Sequence, residues 1–170
     1  QQSERRVGLG TMGLADMLIK LELAYGSDAS IDFIDKLYKF ICVEAYSESA
    51  ELAEEKGSFP MFAAEKFLES GFMKEMPEEI RELVRKKGIR NVTLLTQAPT
   101  GTTGTMVGTS TGIEPYYFWE WERVGRMGSN IERVAVYDDW VKKNPGKEKP
   151  EFFVSAMDLA PEGHVRVQAA

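Results

Sequence analysis

Threonines and glycines crowd into one short stretch, Ala98-Pro99-Thr100-Gly101-Thr102-Thr103-Gly104, where the sequence comes nearest to chemistry. A strand that ends in such a turn and then opens a helix presents several unpaired backbone N–H groups at one point, beside the positive end of the helix dipole. A phosphate suits that place. The hydroxyls of Thr100, Thr102 and Thr103 add donors, and Gly101 and Gly104 let the backbone approach an anion with no Cβ in the way. The stretch has neither the lysine of a Walker loop nor the glycine spacing of a dinucleotide fingerprint. The same pattern therefore also fits an ordinary Thr-rich turn that caps a helix.

Few other residues compete. Cys42 is the only cysteine, which excludes an internal disulfide, a cysteine-built zinc site and a redox pair within the chain, and its expected role is packing as a small apolar residue. His164 is the only histidine and is expected at the surface or in contact with sequence outside this segment, and no carboxylates have EF-hand spacing, so no metal is expected. Glu114, before Pro115, carries a carboxyl suited to acid–base work, yet in this turn it is expected to make hydrogen bonds that fix the chain. Arg90 and Asn91 precede the Thr-rich stretch closely enough to reach a ligand, but a solvated or salt-bridged role is expected. No catalytic residue is nominated.

The elements that must position the turn follow from periodicity. Leu14, Met17, Leu18 and Leu21 recur at helical spacing with polar Asp16 and Lys20 between them, an amphipathic helix; Gly8, Gly10 and Gly13 upstream suggest close backbone packing at its start. Ser30 is expected to cap a long second helix ending near Gly57, whose Phe33, Ile34, Leu37, Phe40 and Ile41 cover more than one face and imply deep burial. A short helix over residues 63–68 precedes one opened by Pro77, with Glu78 and Glu79 in its first turn and Gly88 at its end. Residues 92–96 and the aromatic run 116–121 read as strands, and residues 137–143 and 151–159 as helices. No repeat or low-complexity tract interrupts the chain.

Composition bounds the rest. With 170 residues, 43% hydrophobic and 28% charged, one globular unit over residues 1–170 is expected. A net charge of -6 argues against broad attraction to DNA or RNA, so the aromatic run is expected to pack in a core in preference to stacking on bases. No apolar run reaches the roughly 18 residues of a membrane span and the first residues are polar, so a cytoplasmic setting without membrane contact is expected. The opening at Gln1 and the close at Gln168-Ala169-Ala170 inside a helical stretch read as cut ends.

Two strings carry a resemblance: Leu94-Leu95-Thr96-Gln97-Ala98-Pro99-Thr100-Gly101-Thr102-Thr103 and Gly108-Thr109-Ser110-Thr111-Gly112-Ile113-Glu114-Pro115 resemble ribonucleotide reductase large subunits. Arg5-Arg6-Val7-Gly8-Leu9-Gly10-Thr11-Met12-Gly13-Leu14-Ala15-Asp16 and Gly88-Ile89-Arg90-Asn91-Val92-Thr93-Leu94-Leu95 are similar to the family's segments in the same order. Essentially the whole chain is covered, with the spacing of the class II, adenosylcobalamin-dependent branch.

The resemblance implies an α/β fold, mostly helical with few strands, as an incomplete portion of the family's ten-stranded barrel that lacks the finger loop with its radical cysteine and the C-terminal part. It implies that Pro99, Thr100, Gly101, Thr102 and Thr103 hold the substrate's diphosphate or triphosphate, an anchoring that sets the ribose against the radical cysteine. It implies adenosylcobalamin in the parent enzyme, although no residue here matches a cobalamin ligand. It further implies ribonucleotide as substrate and the rest of the reductase, or split partner chains, as partners in the supply of deoxyribonucleotides for DNA replication. The segment alone is expected to be inactive. The alternative is a stand-alone or split-gene module that binds nucleotide or assembles without chemistry of its own. Strand edges left unpaired would invite self-association into a homo-oligomer.

Overall fold

Glycines and prolines cut the chain into helices much as their positions demand. The computed structural model describes residues 2–126 and 128–170, in which the elements are α1 (Leu14–Lys20), α2 (Asp28–Lys56), α3 (Ala64–Leu68), α4 (Gly71–Glu75), α5 (Glu78–Lys87), α6 (Gly101–Val107), β1 (Glu120–Gly125), β2 (Gly128–Arg133), α7 (Ala135–Lys143) and α8 (Pro161–Ala169). The chain is thus about half helical, with one two-stranded sheet among the described residues. Contacts divide it into two units, Gln1–Gly10 with Lys36–Thr96 and Thr11–Asp35 with Gln97–Ala170.

The first unit is held by apolar packing. Tyr46 and Ala50 of α2, Leu68 of α3, Met73 of α4 and Ile80 and Val84 of α5 close around Phe59, Ile89 and Leu94. α5 starts after Pro77 and ends at Gly88, whose φ of 82° suits only glycine comfortably. Arg90 and Asn91 prove structural in a way the sequence does not specify. The Arg90 guanidinium donates to the carbonyls of Lys56 and Gly57 at 2.7 and 2.9 Å, satisfying the C-terminus of α2, and Asn91 Nδ2 donates to Arg5 O at 2.8 Å.

The expected strand at residues 92–96 is reduced to one parallel bridge, Leu9 to Leu95. Its backbone is extended, with Leu9 N–H donating to Leu94 O at 2.7 Å and Thr96 N–H to Leu9 O at 3.0 Å, but among the described residues it has a neighbour on one side only. Gly8 lies so close to this partner that a Cβ would stand 2.7 Å from Thr96 Cγ2.

The second unit is built around aromatic rings. Trp119 and Phe153 sit 5.3 Å apart edge to face, with Tyr137 and Trp140 packed around them and Ile19 of α1 in the same cluster. The aromatic run therefore divides: Trp119 is buried, Tyr117 and Phe118 are exposed, and only its end enters β1, which pairs antiparallel with β2 from Glu120 opposite Arg133 to Gly125 opposite Gly128.

Two further expectations are corrected. α2 starts at Asp28, and Ser27 Oγ accepts from Ser30 N–H at 3.2 Å, so Ser30 lies inside the first turn, fully buried, and is not the cap. Residues 151–159 form turns instead of a helix, because Asp158 Oδ2 accepts from both the amide and the hydroxyl of Ser155, at 3.0 and 2.7 Å, and the Ala156 amide is drawn off to Tyr116 O at 2.8 Å.

Candidate functional site

Residue 100 carries the first sign that the Thr-rich turn is under constraint. Thr100, the N-cap of α6, has φ 48° and ψ 28°, a left-handed conformation that costs a side-chain-bearing residue about 1 kcal/mol. Its surroundings hold it there. Thr100 Oγ1 accepts from Gly112 N–H at 2.7 Å, and its carbonyl accepts from Gly104 N–H at 2.8 Å. Because the hydroxyl is used as an acceptor, its own proton stays free to be donated.

The amides of Gly101, Thr102 and Thr103 precede the first intrahelical donor of α6 and have no partner among the described residues. Pro99, Gly101, Thr102 and Thr103 are exposed and Thr100 is half-buried, and a Cβ built on Gly101 meets nothing within 4 Å. All five nominated residues, Pro99, Thr100, Gly101, Thr102 and Thr103, thus gather at the open N-terminus of one helix. That helix is short and carries no acidic side chain in its first turn, so no side chain of that turn neutralises its positive end.

The residue that sequence reasoning missed is Asp16. Its place between apolar positions of α1 reads as a solvent-facing polar position, yet it is only 8% exposed. Its Oδ2 accepts from Thr109 Oγ1 at 2.7 Å and Ser110 N–H at 2.6 Å, and Tyr116 Oη lies 2.9 Å from the same oxygen. Burial, followed by the Asp16 charge and hydrogen bond, pushes the Tyr116 phenol far above its ordinary value. Gly13 opens α1 with φ 86° and donates its N–H to Ser110 O at 2.9 Å. A Cβ there would stand 2.7 Å from Thr109 Oγ1, which explains why glycine precedes this helix. The one available signal was the position of Asp16 within a string shared with the reductases.

A cavity of about 720 Å³ opens in the same unit, with Glu114, Tyr117, Trp121, Arg133 and His164 on its walls. Glu114 fixes the turn through its backbone alone, its N–H meeting Thr111 O at 3.2 Å, while its exposed side chain has no partner among the described residues, contrary to expectation. His164 is half-buried, with Nε2 3.4 Å from Ala156 O. Arg133 is taken by Glu120, Nε to Oε2 at 3.0 Å. Cys42, in the first unit, is half-buried with Sγ 3.7 Å from Met76 Sδ, and burial raises its thiol above its ordinary value. Such a thiol is a poor nucleophile. Among the described residues no group of three or more His, Cys, Asp or Glu is placed to hold a metal, and no helix is long and apolar enough to cross a membrane.

Comparison with known proteins gives this geometry a context. The chain is 30% identical to a vitamin B12-dependent ribonucleoside-diphosphate reductase of Thermoplasma acidophilum over 97% of its own length and 22% of the relative's. It is 29% identical to the protein of the same name from Mycobacterium tuberculosis, over 99% of this chain and 25% of that one. Against the ribonucleoside-diphosphate reductase subunit alpha of Helicobacter pylori the identity is 30%, over 97% of this chain and 22% of the relative. The chain spans about a quarter or less of the length of these relatives. With the model for the ribonucleotide reductase barrel domain matching all of residues 1–170, the chain belongs to the ribonucleotide reductase family, within that domain.

Proposed function

We propose that this chain anchors the phosphate tail of a ribonucleotide while the parent enzyme reduces it, by a radical mechanism, to the deoxyribonucleotide that DNA replication consumes. The observation that carries the reading is the mouth of α6: the amides of Gly101, Thr102 and Thr103 have no partner among the described residues, and the Thr100 hydroxyl beside them keeps a proton to donate. With Pro99 these residues bind and orient; none of them reacts. Fixing the anion restricts the ribose attached to it, and such orientation can contribute several kcal/mol to a rate.

Adenosylcobalamin supplies the radical in the parent reaction when bound, as the vitamin B12-dependent relatives suggest. Among the described residues neither the cysteine nor the histidine is placed to hold it: Cys42 faces Met76, and the His164 ring nitrogen faces a backbone carbonyl. We assign none of them to the cofactor. The thiol chemistry and the remaining barrel belong, in this reading, to other parts of the reductase or to partner chains, in the cytoplasm.

Titration with a ribonucleoside diphosphate, the substrate class in the relatives' names, tests the anchoring. Wild type is expected to bind. Thr103→Glu places a carboxylate in the first turn, which favours the helix but occupies and repels the anion position, so binding should fall at least tenfold with the fold intact. Equal affinity for both proteins would remove the loop from the site. Incubation of the chain with ribonucleotide, adenosylcobalamin and a dithiol should yield no deoxyribonucleotide, and turnover would show that the chain carries chemistry assigned elsewhere.

A further inference from the structure

A buried carboxylate is costly unless its donors are well placed, and an apolar residue would fill the position of Asp16 at less expense. What distinguishes Asp16 is where its donors come from. Thr109, Ser110 and Tyr116 lie 93, 94 and 100 residues along the chain, all on the segment that follows α6. The Gly13 amide holds the same segment through Ser110 O at 2.9 Å.

That segment in turn grips the Thr-rich turn. Gly112 N–H reaches Thr100 Oγ1 at 2.7 Å, and a Cβ on Gly112 would stand 3.2 Å from Ala98 O. Thr109 N–H donates to Gly104 O at 3.0 Å, while Gly104 is packed so closely that a Cβ would lie 2.9 Å from Thr111 Cγ2. The chain from residue 109 to residue 112 is a strap with α1 on one side and the mouth of α6 on the other.

We propose that Asp16 is a positioning residue for the anion-binding loop: through the strap it holds Thr100 in its left-handed conformation and so sets the direction of the three free amides. The proposal rests on the anchoring reading for its functional consequence, but its structural content stands without a ligand. Asp16→Asn removes the negative charge that draws the Thr109, Ser110 and Tyr116 donors together onto Oδ2, so it should loosen the strap. Asp16 touches no substrate; it acts through Gly112 and Thr100.

The test is amide exchange and inorganic pyrophosphate titration on the ¹⁵N-labelled chain, wild type beside Asp16→Asn. Exchange of the Gly112 N–H should accelerate at least tenfold, whereas the Asp138 N–H, bonded to Val134 O in the same unit, should keep its rate. Pyrophosphate affinity, read from the shifts of Gly101, Thr102 and Thr103, should drop roughly tenfold. A folded Asp16→Asn chain with wild-type Gly112 exchange would overturn the proposal, as would equal acceleration at Asp138, which marks general loosening. If Asp16→Asn does not fold, Thr109→Val and Tyr116→Phe remove one donor each; unchanged Gly112 exchange in both overturns it equally. Wild type that exchanges as expected but shows no pyrophosphate shifts would sink the anchoring reading and leave the strap standing.

Discussion

The two units solve different problems with the same kinds of helix. In the first, aliphatic, methionine and aromatic side chains from four helices fill a core, and polar groups such as Arg90 and Asn91 satisfy helix ends and backbone carbonyls. In the second, a buried carboxylate, a left-handed threonine and a ring cluster hold irregular backbone in place. Apolar packing tolerates approximate geometry, whereas a buried polar network fixes one arrangement. The contrast locates the loop with open donors in the unit whose backbone is most closely specified.

Cavities and close approaches break the comparison hardest. Ile89 is fully buried in the first unit, so Ile89→Ala should cost about 2–5 kcal/mol in denaturant unfolding while leaving the amide shifts of Gly101, Thr102 and Thr103 in place. A smaller loss, accompanied by shifts at the loop, would mean that the two regions are not separable in this way. Gly13 and Gly57 then form a matched pair, with φ 86° and 78°. At Gly57 a Cβ meets nothing within 4 Å, so Gly57→Ala should cost only the conformational term, about 1 kcal/mol. Gly13→Ala adds the collision with Thr109 and should cost about 2 kcal/mol or more and disturb the strap.

Alkaline titration gives a finer comparison. Burial, aided by the Cys42 charge, pushes Tyr46 up to about 12 from an ordinary 10.0, and burial with Asp16 raises Tyr116. In each case the folded chain keeps a phenol proton that the unfolded chain gives up, so the stabilisation is complete below pH 10.0 and declines as pH rises, for Tyr46 between 10.0 and about 12. Unfolding followed against pH should show a steep alkaline loss that Tyr116→Phe makes shallower. The smallest effect belongs to Asp158, lowered first by the Ser155 hydroxyl and amide: its contribution is present above pH 3.8 and lost as pH falls below it, and Asp158→Asn should change acid stability only slightly because the side chain is half exposed.

How much of this was legible depends on how local the cause is. Pro77 and Gly88 bracket α5 within one stretch of sequence, and the Thr-rich turn announces its helix mouth in consecutive residues. Asp16 could not be read in the same way, since the donors that bury it lie far along the chain. The turn at residues 151–159 misled for the opposite reason: its apolar spacing suits a helix, but Ser155 and Asp158 offer the backbone a closer alternative. The strand at residues 92–96 depends on neighbours, and a strand's hydrogen bonds cannot be inferred from its own residues.

The central claim is that a nucleotide's phosphates sit on the mouth of α6. Amide shift mapping with a ribonucleoside diphosphate on the wild-type chain measures this directly. The largest shifts should fall on Gly101, Thr102 and Thr103, with Gly112 responding through Thr100. Shifts confined to Tyr117, Trp121 and His164 on the 720 Å³ cavity, or no shifts at all, would contradict it.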